Sequence, residues 1–237
     1  MNQIILNLDE IDLSVPSQIT QFGECHTYQS PDGSIITTLP TTELPLKSLI
    51  PANWNPQFSL DRGHFRKVVE VGKLINDESA GIFVKDPERV FSGTKPEGLW
   101  WGGSRSREKP ILLEDPLVEE QVFWEASILI KLIRSGIKAE IPQAIIEKDG
   151  KKSLVVKAIP HRITNYVEHN GPDQLSIQRK IIEIGLIDVD FMSSSNAFKG
   201  ADGYIHCIDV NRWEWPGEID QFRDLLRVKL KEAINFS

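Results

Sequence analysis

Cysteine is scarce in this chain of 237 residues, which carries only Cys25 and Cys207. The two lie far apart and form neither a disulfide framework nor a metal-ligand spacing, so they are expected to be free thiols in a reducing cytosol. Lysine and arginine are missing altogether from the first 46 positions. With no basic n-region, no secretory signal is expected. No apolar run approaches the roughly 20 residues of a membrane span, so a membrane is not an expected partner. Positive charge is in deficit, 27 Lys and Arg against 34 Asp and Glu, for a formal charge of −7. That balance disfavours a nucleic-acid backbone or an anionic lipid surface as a general partner. No Gly-x-Gly-x-x-Gly occurs, and Gly102-Gly103-Ser104 is too weak to name a phosphate loop. There is no repeat at a fixed period. What is present, 40% hydrophobic and 26% charged residues, is the composition of a soluble globular chain. Its length suits one two-lobed domain or two small ones.

In chain order, residues 1–56 read as a β-rich extension. Residues 3–8 form a candidate strand, and Pro31-Asp32-Gly33 before Ser34 to Thr37 has hairpin chemistry. Pro40, Pro45, Pro51 and Pro56 then break regular structure around Trp54. The extension is expected to complete a sheet, with a lid as the other reading. Strand patterns follow at 65–71 and at Gly81-Ile82-Phe83-Val84-Lys85, and residues 86–114 read as a long glycine-rich loop containing Trp100 and Trp101. A helix is predicted over about 116–135. Asp115 caps it, Pro116 suits its first position, Glu119 and Glu120 favour the positive end of its dipole, and Gly136 ends it. Its apolar face includes Val118, Val122, Ala126, Leu129 and Ile130, and Glu125 lies at or inside the margin of that face. A carboxylate placed there needs a cation or a hydrogen-bond donor. Asp149-Gly150 between two apolar runs predicts a tight hairpin, followed by a polar linker over 160–175 and a helix from Ser176 to Leu186. A last amphipathic helix is predicted over 218–234, with Trp213, Trp215 and Pro216 packing the chain back on the core.

The densest chemistry falls in 186–215. Asp202-Gly203 between apolar residues predicts a two-residue turn, which would set Asn196 directly opposite Asp209. Asp188 and Asp190 lie a few residues upstream. Converging carboxylate and amide oxygens of this kind suit a hard cation such as Mg²⁺.

This segment resembles the catalytic segment of the protein-kinase-like superfamily, including the aminoglycoside and choline phosphotransferases. Asn196 and Asp209 are 13 residues apart, a spacing protein kinases use. The resemblance implies an α+β, two-lobed fold: an antiparallel N-lobe with one main helix over 57–159, and a small helical C-lobe over 160–237. It does not cover 1–56. It implies Asp190 as catalytic base, Asn196 and Asp209 as metal ligands, and a strand lysine that grips nucleotide phosphates and pairs with Glu125. Lys85 fills that place, with Lys109, 16 residues before Glu125, as rival and Glu120 as fallback carboxylate. Backbone groups near Val156 to Ala158 would meet adenine. Three features depart from the pattern. Asp190 to Asn196 spans six residues where the family has five. Asp188 stands where the family carries His or Tyr, and Val210-Asn211 replaces Phe-Gly. The 28 residues after Asp209 imply a reduced C-lobe without a peptide platform. The implied activity is ATP- and Mg²⁺-dependent phosphoryl transfer to a small molecule. The alternatives are a catalytically silent kinase-like module (a pseudokinase) working through protein contacts, and a structural α+β protein with no site.

Overall fold

The computed structural model describes residues 17–61, 66–76, 80–87, 90–91, 111–112, 116–159, 172–187, 191, 196–211, 213 and 215. The strands are β1 (His26–Gln29), β2 (Ile35–Thr38), β3 (Ser59–Asp61), β4 (Val68–Val71), β5 (Ile82–Lys85), β6 (Val90–Phe91), β7 (Ile111–Leu112), β8 (Ile141–Lys148), β9 (Lys151–Lys157), β10 (Ala197–Lys199) and β11 (Ile205–Cys207). The helices are α1 (Ser17–Thr20), α2 (Leu46–Leu49), α3 (Pro116–Glu119), α4 (Gln121–Arg134) and α5 (Pro172–Glu183). Seven strands form one antiparallel sheet in the order β1-β2-β8-β9-β5-β4-β3. The protein is therefore α+β. Strands β1 and β2, from the N-terminal extension, continue the sheet beyond β8. No helix among the described residues is long and apolar enough to cross a membrane.

Both faces of the sheet are covered, which explains why β5 is buried along its whole length. Side chains alternate along a strand. Phe83, Leu154 and Val156 therefore face α4, while Ile82, Val84 and Val155 face the other way. Lys85 has the parity of Phe83 and sits opposite Leu154, so it too points toward the helix side. The outer face is closed by the proline-rich stretch. Leu49 is fully buried there with Leu74, and Leu44, Ile50 and Trp54 pack against them. Gln143 fastens this cover. It is the extra residue of a bulge between Pro142 and Ala144, and its side-chain oxygen accepts from the amides of Glu43 (2.8 Å) and Leu44 (3.0 Å).

The helix predicted over 116–135 is broken into α3 and α4 at Glu120. Glu119 and Glu120 do more than face a dipole, since both reach across to β9. Glu119 accepts from the amide of Lys152 at 2.6 Å, and Glu120 pairs with the Lys152 ammonium. Gly136, at φ 76°, ends α4 as expected. Its amide bonds Ile133 and the Ile137 amide bonds Leu132, the two bonds of a Schellman motif. The core that α4 shares with the sheet extends to Ile181 and Leu186 of the α5 region and to Ala197, Ile205 and Cys207 of the last hairpin. Trp213 and Trp215 are buried against it, and Trp124 Nε1 donates to the Trp213 carbonyl at 3.0 Å.

The last hairpin corrects the predicted register. Ala197 pairs with Cys207 and Phe198 with His206, so Asn196 lies across from Ile208, not from Asp209. The Ile208 amide donates to the Asn196 carbonyl at 3.1 Å. The loop is Ala201-Asp202-Gly203, closed by Gly200 and Tyr204, with Gly203 at φ 80°. Asp202 Oδ1 selects it by accepting from the Tyr204 amide (3.1 Å) and meeting His206 Nε2 (3.1 Å). A Cβ on Gly200 would lie 2.7 Å from Asp202 Oδ1 and 2.9 Å from His206 Nε2, so only glycine leaves room for that contact. By contrast Asp149 (φ 52°) and Gly150 (φ 72°) form the expected two-residue turn between Lys148 and Lys151.

Candidate functional site

Five charged side chains converge where the end of β5, the second turn of α4, the residue ahead of β8 and the exit of β11 meet. Glu125, fully buried on α4, accepts two bonds from the Arg66 guanidinium, Nη1 to Oε2 at 2.5 Å and Nη2 to Oε1 at 2.8 Å. Lys85 Nζ lies 3.3 Å from the same Oε1 and also pairs with Glu140. Arg66 Nη2 reaches Asp209 Oδ1 at 2.5 Å. Arg66, Lys85, Glu125 and Glu140 are each no more than 7% exposed, whereas the Asp209 side chain is 48% exposed. Asp209 is the opening of the cluster to solvent.

Local sequence explains these positions. Glu125 is flanked by Val122 and Leu129, both fully buried, so α4 cannot turn it outward without exposing its apolar face. Lys85 is delivered by strand parity, and Glu140 by the backbone just ahead of β8. Asp209 has φ 55°, a left-handed conformation that Asp tolerates better than most residues.

Two cations face three carboxylates, a formal charge of −1 in a largely desolvated place. Burial alone would raise the Glu125 pKa, but the adjacent Arg66 and Lys85 charges overcome this and hold it below the usual glutamate value. Burial would lower the Lys85 pKa, but Glu125 and Glu140 raise it above the ordinary lysine value. Arg66 behaves likewise: Glu125 and Asp209 outweigh its desolvation. All three stay charged at neutral pH.

No protein-family model matches the chain, and no curated protein matches it in sequence.

Of the residues singled out in the sequence, Lys85 and Glu125 come together as expected, and Asp209 joins them through Arg66. Asn196 is buried at the foot of the hairpin, 7% exposed. Val156 is fully buried inside the ladder between β5 and β8. The Ala158 amide, expected to be free, donates to the Gly81 carbonyl at 2.7 Å. Glu120, the fallback partner for the lysine, is taken by Lys152. Asp190, Asp188 and Lys109 lie outside the described residues.

Arg66 and Glu140 were not foreseen. Glu140 carried a usable signal: it is the one charged residue in Ala139-Glu140-Ile141-Pro142-Gln143-Ala144-Ile145-Ile146, and a carboxylate in such a run needs a partner. Arg66 carried none, because nothing local distinguishes it from any arginine ahead of a strand.

Among the described residues no three His, Cys, Asp or Glu side chains gather as a metal site. Mg²⁺ does not require that, since it commonly takes one or two carboxylates with water and substrate phosphate. The half-exposed Asp209 carboxylate, in a cluster of net negative charge, fits such an ion.

Proposed function

We propose that this chain is an ATP- and Mg²⁺-dependent phosphotransferase-like protein of two-lobed, protein-kinase-like design, acting on a small molecule. The observation that carries the reading is the buried pair between Lys85, at the end of a central strand, and Glu125, in the second turn of the main helix. Such a strand-lysine to helix-glutamate pair is a required part of nucleotide positioning in protein kinases. Three further facts support it. The helix enters the chain between β5 and β8, the Asp149-Gly150 hairpin follows it, and Asp209 emerges beside the pair.

In this mechanism Glu125 fixes the Lys85 ammonium at a low-dielectric position, where its charge acts strongly on nucleotide phosphates. Asp209 would hold Mg²⁺, which would supply charge neutralisation on the phosphates when bound, while the hairpin register sets Asn196 across from Ile208 and not beside it. Asp190 would accept the proton of an acceptor hydroxyl. The chain's contribution is positioning and charge, the two terms that dominate phosphoryl transfer.

One observation favours the second reading, a silent module: Arg66 holds the carboxylate that a metal would need. Thermal unfolding with and without Mg-ATP tests the proposal. A ligand at 100 times its Kd adds about 2.7 kcal/mol, which is readily seen as a rise in Tm. A stabilised protein with no turnover of ATP supports the silent module, and a protein that Mg-ATP leaves unmoved refutes both.

A further inference from the structure

Lys85 is held from two sides, and its two carboxylates are not equally free to hold it. Both oxygens of Glu125 already accept from Arg66, Oε2 from Nη1 at 2.5 Å and Oε1 from Nη2 at 2.8 Å. Lys85 Nζ comes third, 3.3 Å from the oxygen that Nη2 also uses, just beyond the usual length of an N–H···O bond. Glu140 is placed differently. Its side chain is 3% exposed, and among the described residues its carboxylate bonds Lys85 alone, through Oε2. Its backbone is fixed as well, because its amide donates to the Cys207 carbonyl at 3.1 Å. An ammonium has three N–H donors. Two partners on different elements triangulate Nζ and leave its third N–H for a ligand oxygen.

We infer that Glu140 is the residue that aims the Lys85 ammonium at nucleotide phosphate, a positioning residue carried by the backbone just ahead of β8. This inference rests on the nucleotide-binding reading and divides the labour within it. Glu125 anchors Arg66 and adds negative charge beside the lysine, while Glu140 sets where Nζ stands. The two glutamates form a matched pair. Changing either to glutamine takes the cluster from a formal −1 to 0, so the general pull on an anionic nucleotide changes alike and the hold on Lys85 does not. Glu140→Asp is the complement: the charge is kept, but the carboxylate is drawn back from Nζ by one methylene.

The experiment is calorimetric titration with Mg-ATP of wild type, Glu140→Gln, Glu140→Asp and Glu125→Gln, with the Lys85 side-chain ¹⁵N signal followed in the nucleotide-free proteins. Glu140→Gln is expected to bind Mg-ATP about tenfold more weakly than Glu125→Gln, the scale of one charge-assisted bond against a neutral one. Glu140→Asp should bind more weakly than wild type at unchanged formal charge. The Lys85 signal should change more in both Glu140 variants than in Glu125→Gln. A role confined to stability would lower the urea midpoint of the Glu140 variants yet leave the affinities of the folded proteins level, which overturns the inference. Glu125→Gln binding as weakly as Glu140→Gln also overturns it and leaves the nucleotide-binding reading standing. If the Glu140 variants fold poorly, Glu125→Gln decides alone: Mg-ATP affinity at least equal to wild type supports the inference, and a tenfold loss overturns it. Absence of Mg-ATP binding by the wild type overturns the inference and the nucleotide-binding reading together.

Discussion

Lys85→Met should be the most damaging single change in the ion cluster, and the reason is an uneven distribution of partners. Lys85 is the cation bonded to Glu140, whose side chain is 3% exposed. Methionine leaves that carboxylate without its ammonium and takes the cluster from a formal −1 to −2. Breaking a buried pair by removing one partner costs about 3–5 kcal/mol. A second route gives a similar figure. A stranded glutamate can instead take up a proton, which at pH 7, from the ordinary glutamate midpoint near 4.3, costs about 3.7 kcal/mol. For a domain of this size that lowers Tm by about 7–15 °C. Glu125→Gln is gentler even though Glu125 is the more buried. Lys85 keeps Glu140, Arg66 keeps Asp209, the formal charge becomes zero, and the loss is about 1–3 kcal/mol. Removing both ends, in Lys85→Met/Glu140→Leu, should restore most of the stability. Urea denaturation of all four proteins at pH 7 and pH 5 gives the answer. The Lys85→Met deficit should shrink to about 1 kcal/mol at pH 5, where protonation is cheap. If Lys85→Met is no worse than Glu125→Gln, or its deficit does not move with pH, the cluster is not desolvated as described.

Other consequences can be measured separately. Because the Glu125 pKa is lowered on folding, its contribution is present above its unfolded value near 4.3 and is lost as pH falls through the folded value. The wild-type acid limb should therefore steepen below about pH 4, and Glu125→Gln should lack that component in denaturation at stepped pH. The raised Lys85 and Arg66 values give contributions fully present below their unfolded values, so neither should be lost before strongly alkaline pH. Gln143→Ala should cost about 1–3 kcal/mol by stranding the Glu43 and Leu44 amides, and a urea midpoint equal to wild type would show that water replaces the side chain. Asp209→Ala should remove most Mg-dependent ATP affinity in calorimetry. Asp190→Asn should leave binding intact and lower turnover by about 10²–10⁴-fold, and parallel behaviour of the two would refute their separate roles.

What the sequence disclosed, and what it hid, divides along the range of the forces involved. The α4 helix, its glycine stop and the Asp149-Gly150 turn are set within a few residues by periodicity and backbone freedom, and all three were legible. Glu125 was legible as a carboxylate in need of a cation, and strand parity offered Lys85. The hairpin at 197–207 was legible as a hairpin but not in register. Two Asp-Gly pairs look alike locally, and the outcome at the second was decided by Gly200 and by the reach of His206 to Asp202. A one-residue slip moves every side chain to the other face, which is why Asn196 lost its place opposite Asp209. Arg66 was invisible because it meets Glu125 and Asp209 across 59 and 143 residues, a pairing that no window of sequence contains.

The backbone splice between the last hairpin and the segment ahead of β8 gives the cluster a mechanical meaning. Cys207 donates to the Lys138 carbonyl at 2.9 Å and accepts from the Glu140 amide at 3.1 Å, a parallel bridge at Ala139. Glu140 and Asp209 are therefore hung from one short seam, one on each side of it. The hairpin cannot lift from the sheet without tearing the ionic knot, and the knot cannot loosen without slackening the seam. Opening of this region is then one cooperative event, and the amides of Glu140 and Cys207 should exchange with solvent deuterium at a common rate. A ligand that tightens the knot would slow both, so a signal arising beside Lys85 would be felt along the strands that carry the C-terminal part of the chain.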